Sequence, residues 1–200
     1  MRTIETKVYS FNELNEDAKQ KAIEQVRNDE YRLCYDWYEF TYEYFKENQN
    51  YFDIDKIYFS GFWSQGDGAM FEYSRLNESL KEEFIDSLPL SNMRKNWLRN
   101  NVSISGKGSH SGHYYHEGCC YHAIYWEVDN LDISWSSNLG KFIESYSIDF
   151  EDFVISKYKD LCRDLYRELE KESDFLNSDE AIINDIEAND IEFLEDGTKF

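Results

Sequence analysis

Proline occurs once and glycine nine times in 200 residues, too few for a collagenous, Pro-rich or Gly/Ser-rich chain. Basic residues are scarce as well: 21 Lys and Arg face 41 Asp and Glu, a formal net charge of −20. That balance repels nucleic acid and anionic lipid at long range, so neither direct nucleic-acid binding nor membrane binding is expected. No apolar run is long enough to span a bilayer, and the opening MRTIETKVYSFNELNEDAKQ lacks the apolar core of a secretory signal. A cytoplasmic location is the expectation. The four cysteines do not form a disulfide framework: Cys119 and Cys120 are adjacent, while Cys34 and Cys162 fall in aromatic or amphipathic helical patterns. Reduced, buried thiols are expected.

Aromatic side chains are abundant: 16 Tyr, 14 Phe and 5 Trp make up 18% of the chain. Each carries a large apolar area that only a folded core hides, which excludes an acidic disordered tail. The hydrophobic spacing predicts a first helix after the extended TKVYSF, capped by Asn12 or Asn15, with Leu14, Ala18, Ala22, Ile23 and Val26 on one face. A second helix is expected within 31–48, lined by Leu33, Trp37, Phe40, Tyr44 and Phe45. Residues 54–74 read as a β-hairpin turning at Gln65-Gly66-Asp67-Gly68, and 76–100 as two helical pieces broken at Pro89, the second capped by Ser91 or Asn92.

From Val102 to Trp135 the pattern is β again: short strands around a GKGSHSG loop, then CYHAIYWEV, a turn at Asp129-Asn130, and LDISW. A long amphipathic helix runs from Phe150 to Leu169, followed by a short acidic helix over 178–189 and a closing IEFLEDGTKF read as an edge strand. No repeat and no linker interrupt the chain. The expected fold class is α+β, one domain over 1–200, with a small, mostly antiparallel sheet packed against several helices.

The charge is uneven. Residues 149–200 carry 17 acids and 6 bases, a net −11, more than half of the total. Between Glu172 and Asp196 stand ten acids with no Lys or Arg: Glu172, Asp174, Asp179, Glu180, Asp185, Glu187, Asp190, Glu192, Glu195 and Asp196. A solvated, solubilising face is one reading. The other is a surface presented to a basic partner, because carboxylates on rigid elements imitate the charge spacing of a nucleic-acid backbone. The interleaved Ile182, Ile183, Ile186, Ile191, Phe193 and Leu194 point to a docked element. Conversely, no acid lies between Asp86 and Glu117, where Arg94, Lys95, Arg99 and Lys107 could pair with the acidic C-terminal quarter or take an anion at GKGSHSG.

Catalytic signatures are absent, so no catalytic residue and no cofactor are assigned, and the chain is read as a non-enzyme. All four histidines fall within SHSGHYYHEGCCYH, making His110, His113, His116, Cys119, Cys120 and His122 the candidate metal ligands. Their spacing matches neither paired CxxC nor HExxH, and strand alternation would send His113 and His116 to opposite faces. A Cys–His nucleophile from Cys119 or Cys120 with His116 lacks any context that would lower the thiol pKa. Forty-one acids make any chosen pair for glycoside chemistry uninformative. Phe62 and Trp63 read as core aromatics or as a stacking platform.

Three separated stretches, YSFNELNEDAKQKAIEQ, YFSGFWSQGDGAMFEY and FLNSDEAIINDIEANDIEFLEDGTKF, together with HYYHE, resemble a group of uncharacterised acidic proteins of tailed phages and prophages, some labelled antitoxin-like. The resemblance spans nearly the whole chain and carries no assigned catalytic residue. It implies a phage origin and a host bacterial cytoplasm, and with the acidic surface it points to a counter-defence inhibitor of the anti-CRISPR type. The expected partner is a host protein with a basic nucleic-acid-binding surface, such as a CRISPR effector or another defence nuclease. The alternatives are an antitoxin-like interaction module, or a metal- or small-ligand-binding protein centred on His110–His122.

Overall fold

The computed structural model describes residues 1–3, 5–29, 36–128 and 138–200, with side chains at 138 and 139 excepted. Cys34, Leu33, the Asp129-Asn130 turn and the LDISW strand lie outside the described residues. The chain divides into two compact units, a sheet-bearing unit over Phe40–Glu168 and a terminal unit made of Met1–Glu39 and Leu169–Phe200. The described residues form six α-helices and a four-stranded antiparallel sheet, and the fold class is α+β.

In the sheet-bearing unit, α2 (Glu39–Asn48) leads into β1 (Phe52–Ser60) and β2 (Gly68–Leu76), paired antiparallel from Phe52 opposite Leu76 to Ser60 opposite Gly68. The hairpin is present, but its connection is residues 61–67 and Gly68 already belongs to β2. The Asp67 carboxylate closes that loop by accepting the Trp63 and Ser64 N–H groups at 2.9 and 2.6 Å. Helices α3 (Glu78–Ser87) and α4 (Asn92–Asn101) follow, separated at Pro89, with Ser91 at the N-cap of α4. Strands β3 (Val102–His110) and β4 (Cys120–Val128) complete the sheet in the order β1-β2-β3-β4.

GKGSHSG is therefore not a loop: Gly106 to His110 lie inside β3, in register with Ile124 to Cys120 of β4. Gly108 is required there by packing. A Cβ at this position would sit 2.2 Å from the Tyr73 ring and 2.9 Å from Cys120 Sγ. The backbone of Gly106 to His110 is paired with β4, so these residues form no loop of the phosphate-cradling kind.

Helix α5 (Asn138–Leu176) begins well before the expected Phe150 and covers this sheet with Ile143, Phe150, Val154, Tyr158, Cys162 and Leu165, all buried at helical spacing. Tyr158 sits at the centre of the core, its ring 4.6 Å from Phe71. Its hydroxyl donates to the Phe71 carbonyl at 2.8 Å and accepts from the Phe71 N–H at 3.2 Å. Phe84, Trp126 and Phe150 form a second aromatic cluster with ring separations of 4.9 to 5.5 Å. Phe62 packs on Phe59 and Tyr166 while Trp63 is 92% exposed, so the two form no shared platform. Helix α2 departs from expectation in part: Phe45 packs on Phe71 as expected, but Phe40 and Tyr44 are 77% and 58% exposed, and the helix instead buries Thr41 and sets Tyr42 against Phe59.

In the terminal unit, a single 3-10 turn (Phe11–Glu13) precedes α1 (Glu16–Arg27). Of the two asparagines considered, Asn15 is the cap, its side chain accepting from Ala18 N at 2.9 Å. The last turns of α5 lead to α6 (Asp179–Ala188), capped by Ser178. The closing segment is a hook: Phe193 bridges antiparallel to Tyr9 on one side and to Lys199 on the other. Phe11, Leu14, Ala18, Ala22, Ile23 and Val26 pack with Ile182, Ile186 and Phe193 in one apolar core. Among the described residues no helix is long and apolar enough to cross a membrane.

Candidate functional site

All ten acids singled out between Glu172 and Asp196 belong to the terminal unit. That unit holds 20 acids and 8 bases, a net −12, against 21 acids and 13 bases, a net −8, in the larger sheet-bearing unit. The local sequence explains the exposure of the acids. Ala181, Ile182 and Ile186 recur at helical spacing and bury one stripe of α6 against α1, which turns Glu180 and Glu187 outward. Asp179 and Glu180 in the first turn also favour the helix through its macrodipole.

Part of this charge is neutralised at home. Arg27 pairs with Asp179 and Lys21 with Asp196 at 2.7 Å; Glu187 is exposed and keeps its charge, accepting only from the neutral Asn12 amide at 3.0 Å. The Lys21 ammonium and the Thr198 hydroxyl and N–H hold the Asp196 carboxyl down to about 2. Asp185 and Glu172 are half-buried. Asp174, Glu180, Asp190, Glu192 and Glu195 are exposed and make no ion pair among the described residues. The mid-chain bases do not supply the missing partners. Arg99 pairs with Glu82 at 2.6 Å and with Asp86, and Lys95 donates to the Asp86 carbonyl at 2.7 Å. Arg94 lies over the Phe142 ring at 5.9 Å.

At the C-terminal end of α6 a groove of about 370 Å³ opens, with Phe11, Ile186 and Ile191 as its apolar part and Glu187, Asp190 and Glu192 as its acidic part. The helix ends in a Schellman motif: Ile191 N donates to Ile186 O at 3.1 Å and Asp190 N to Glu187 O at 3.3 Å. Asp190 occupies the left-handed position, φ +48°, where glycine is usual.

The histidine–cysteine stretch is split. His110 Nε2 meets the Tyr114 carbonyl at 3.2 Å, and its ring lies 5.2 Å from Tyr115. His113 lies exposed in the loop between β3 and β4. His116 Nδ1 accepts from Gly118 N at 3.1 Å, and its Nε2 meets Cys119 Sγ at 3.4 Å. The pair closes a tight turn between β3 and β4.

Cys120 and His122 lie apart from it, against the unit's core. Tyr73 Oη and His122 Nδ1 are hydrogen-bonded at 3.0 Å, and Cys120 Sγ lies 3.8 Å from the same nitrogen. Burial pushes the Cys120 thiol up to about 11 and the His122 imidazole down to about 4. Among the described residues no three His, Cys, Asp or Glu side chains are placed to hold a metal ion. Cys120 and His122, two apart on β4, share one strand face, whereas His113, His116 and Cys119 lie in the connection before it, so strand alternation does not govern His113 and His116.

These features define an α+β protein that pairs an antiparallel sheet unit with a strongly acidic helical one. The chain belongs to the family described as a domain of unknown function, DUF8835, whose model matches residues 37–179. No curated protein and no solved structure matches the chain. The family match covers the sheet-bearing unit and stops at Asp179, so seven of the ten candidate acids lie beyond it.

Proposed function

We propose that the protein is a non-enzymatic binder whose acidic terminal unit docks on the basic nucleic-acid-binding surface of a host protein and occludes it. The phage resemblance makes a CRISPR effector or another defence nuclease the class of target. The observation that carries this reading is the set of exposed carboxylates without an ion pair among the described residues, held on the last turns of α5, on α6 and on a bridged hook, the last two anchored by their own apolar core. Carboxylates fixed by folding lose little conformational freedom on contact, so their attraction to a phosphate-gripping channel is not spent on ordering them. Like-charge repulsion meanwhile suppresses association with acidic partners.

The test is capture from nuclease-treated bacterial lysate on the immobilised chain, with elution along a salt gradient. The native chain is expected to retain a nucleic-acid-binding protein that moderate salt releases. Asp174→Lys, Glu180→Lys and Glu195→Lys together are expected to weaken that retention by about tenfold or more while leaving the circular dichroism spectrum unchanged. Retention equal to that of the native chain contradicts the proposal. Rescue of a toxin by co-expression, without any effect on nucleic-acid binding by the captured protein, favours the antitoxin-like alternative on the same surface.

A further inference from the structure

The groove at the end of α6 gives this contact a specific anchor, on the reading of the terminal unit as the contact surface. Its floor is apolar, from Phe11, Ile186 and Ile191, and Glu187, Asp190 and Glu192 stand around it. The last turn of α6 carries no Lys, Arg or His, so the partial negative charge of the helix C-terminus adds to the carboxylates instead of being offset. Among the described residues no base lines the groove. Lys21, Arg27 and Lys199 in the same unit are engaged by Asp196, Asp179 and Asp29. The Asn12 amide holds one oxygen of Glu187 at 3.0 Å, which orients the carboxylate and leaves its second oxygen for another donor.

We propose that this groove receives one arginine side chain of the basic partner. The arginine stem suits the apolar floor, and its planar guanidinium presents five donors in a fork that two or three carboxylates satisfy together. A lysine would offer a point charge to the same floor with less directional pairing. The charge complementarity selects a cationic occupant, and the combination of an apolar floor with several acceptors selects arginine among cations.

The probe is N-acetyl-arginine amide, titrated at constant ionic strength into the isotopically labelled full chain and followed by amide chemical shifts. Saturable shifts are expected at residues 10–12 and 186–192, with a response at least about fivefold weaker for the uncharged isostere N-acetyl-citrulline amide. Asp190→Gly relieves the left-handed backbone and removes one carboxylate. It is therefore expected to raise the thermal midpoint and yet weaken arginine binding several-fold, a combination that loss of fold cannot produce. Shifts spread evenly over the acids of α5 and α6, an equal response to citrulline, or unchanged binding by Asp190→Gly would each overturn the assignment. A groove that binds arginine in a chain that captures no basic protein contradicts the proposed function alone. Capture without a groove response contradicts this inference alone.

Discussion

Gly197 is held at φ +82°, and a Cβ built on it would stand 2.1 Å from the Ala18 carbonyl of α1. Neither the left-handed backbone nor a backbone oxygen at that distance yields to a side chain, so Gly197→Ala is expected to destabilise the terminal unit by about 3 kcal/mol. Chemical denaturation followed by far-UV circular dichroism reads this directly, and a loss under about 1 kcal/mol would contradict the close approach. His122 is the residue whose titration reports on the sheet-bearing unit. Burial holds its imidazole near 4, below the unfolded value of about 6.5. The unfolded chain therefore takes up a proton that the folded chain refuses. Stability is intact above about pH 6.5 and falls as the pH drops from there towards 4. The Tyr73 and Tyr158 phenols and the Cys120 thiol around it are pushed upward by burial and do not titrate in this window. The denaturation midpoint should decline between pH 6.5 and 4.5, and His122→Gln should flatten that slope. A flat native profile would show that the imidazole is not sequestered.

Asp190 gives α6 a Schellman end without the usual glycine. Asp190→Gly is expected to stabilise the terminal unit by about 0.5–1 kcal/mol, read as a rise in thermal midpoint, because the left-handed conformation then carries no Cβ penalty. A fall would mean that the aspartate side chain supports the turn. Element identity was largely legible wherever apolar spacing was strong, as in α1, α6 and the two hairpins. The inward face of α2 and the start of α5 were not. The aromatic run of α2 gave several faces to choose from; Phe45 faces inward as its spacing suggested, but Thr41 and Tyr42 in place of Phe40 and Tyr44 are tertiary choices that spacing alone does not make. The early start of α5 lies in a Gly- and Ser-containing stretch of weak helix propensity, where packing of Ile143 outweighs local preference. GKGSHSG looked like a loop because glycines usually punctuate. Here they make room for Tyr73 and Leu76 inside a strand.

Across the whole molecule the charge is partitioned: a net −12 sits in the terminal unit and −8 in the larger sheet-bearing one, which is also the part the family model covers. The acidic surface was legible as a run of residues. Which of its members are already neutralised was not, because Arg27 and Lys21 are more than 150 positions away from Asp179 and Asp196 in sequence. That pairing offsets the charge of Asp179 and Asp196 and leaves Asp174, Glu180, Glu187, Asp190, Glu192 and Glu195 exposed without an ion pair among the described residues. The central claim is that these carboxylates occupy a nucleic-acid site. Its most direct measurement is competition: the captured basic protein is saturated with a fluorescent oligonucleotide and titrated with the chain at fixed salt, with polarisation as the readout. The account predicts stoichiometric displacement by the native chain, and displacement weakened about tenfold or more by the Asp174→Lys, Glu180→Lys, Glu195→Lys chain. A ternary complex, in which oligonucleotide and chain bind the protein together, would contradict it.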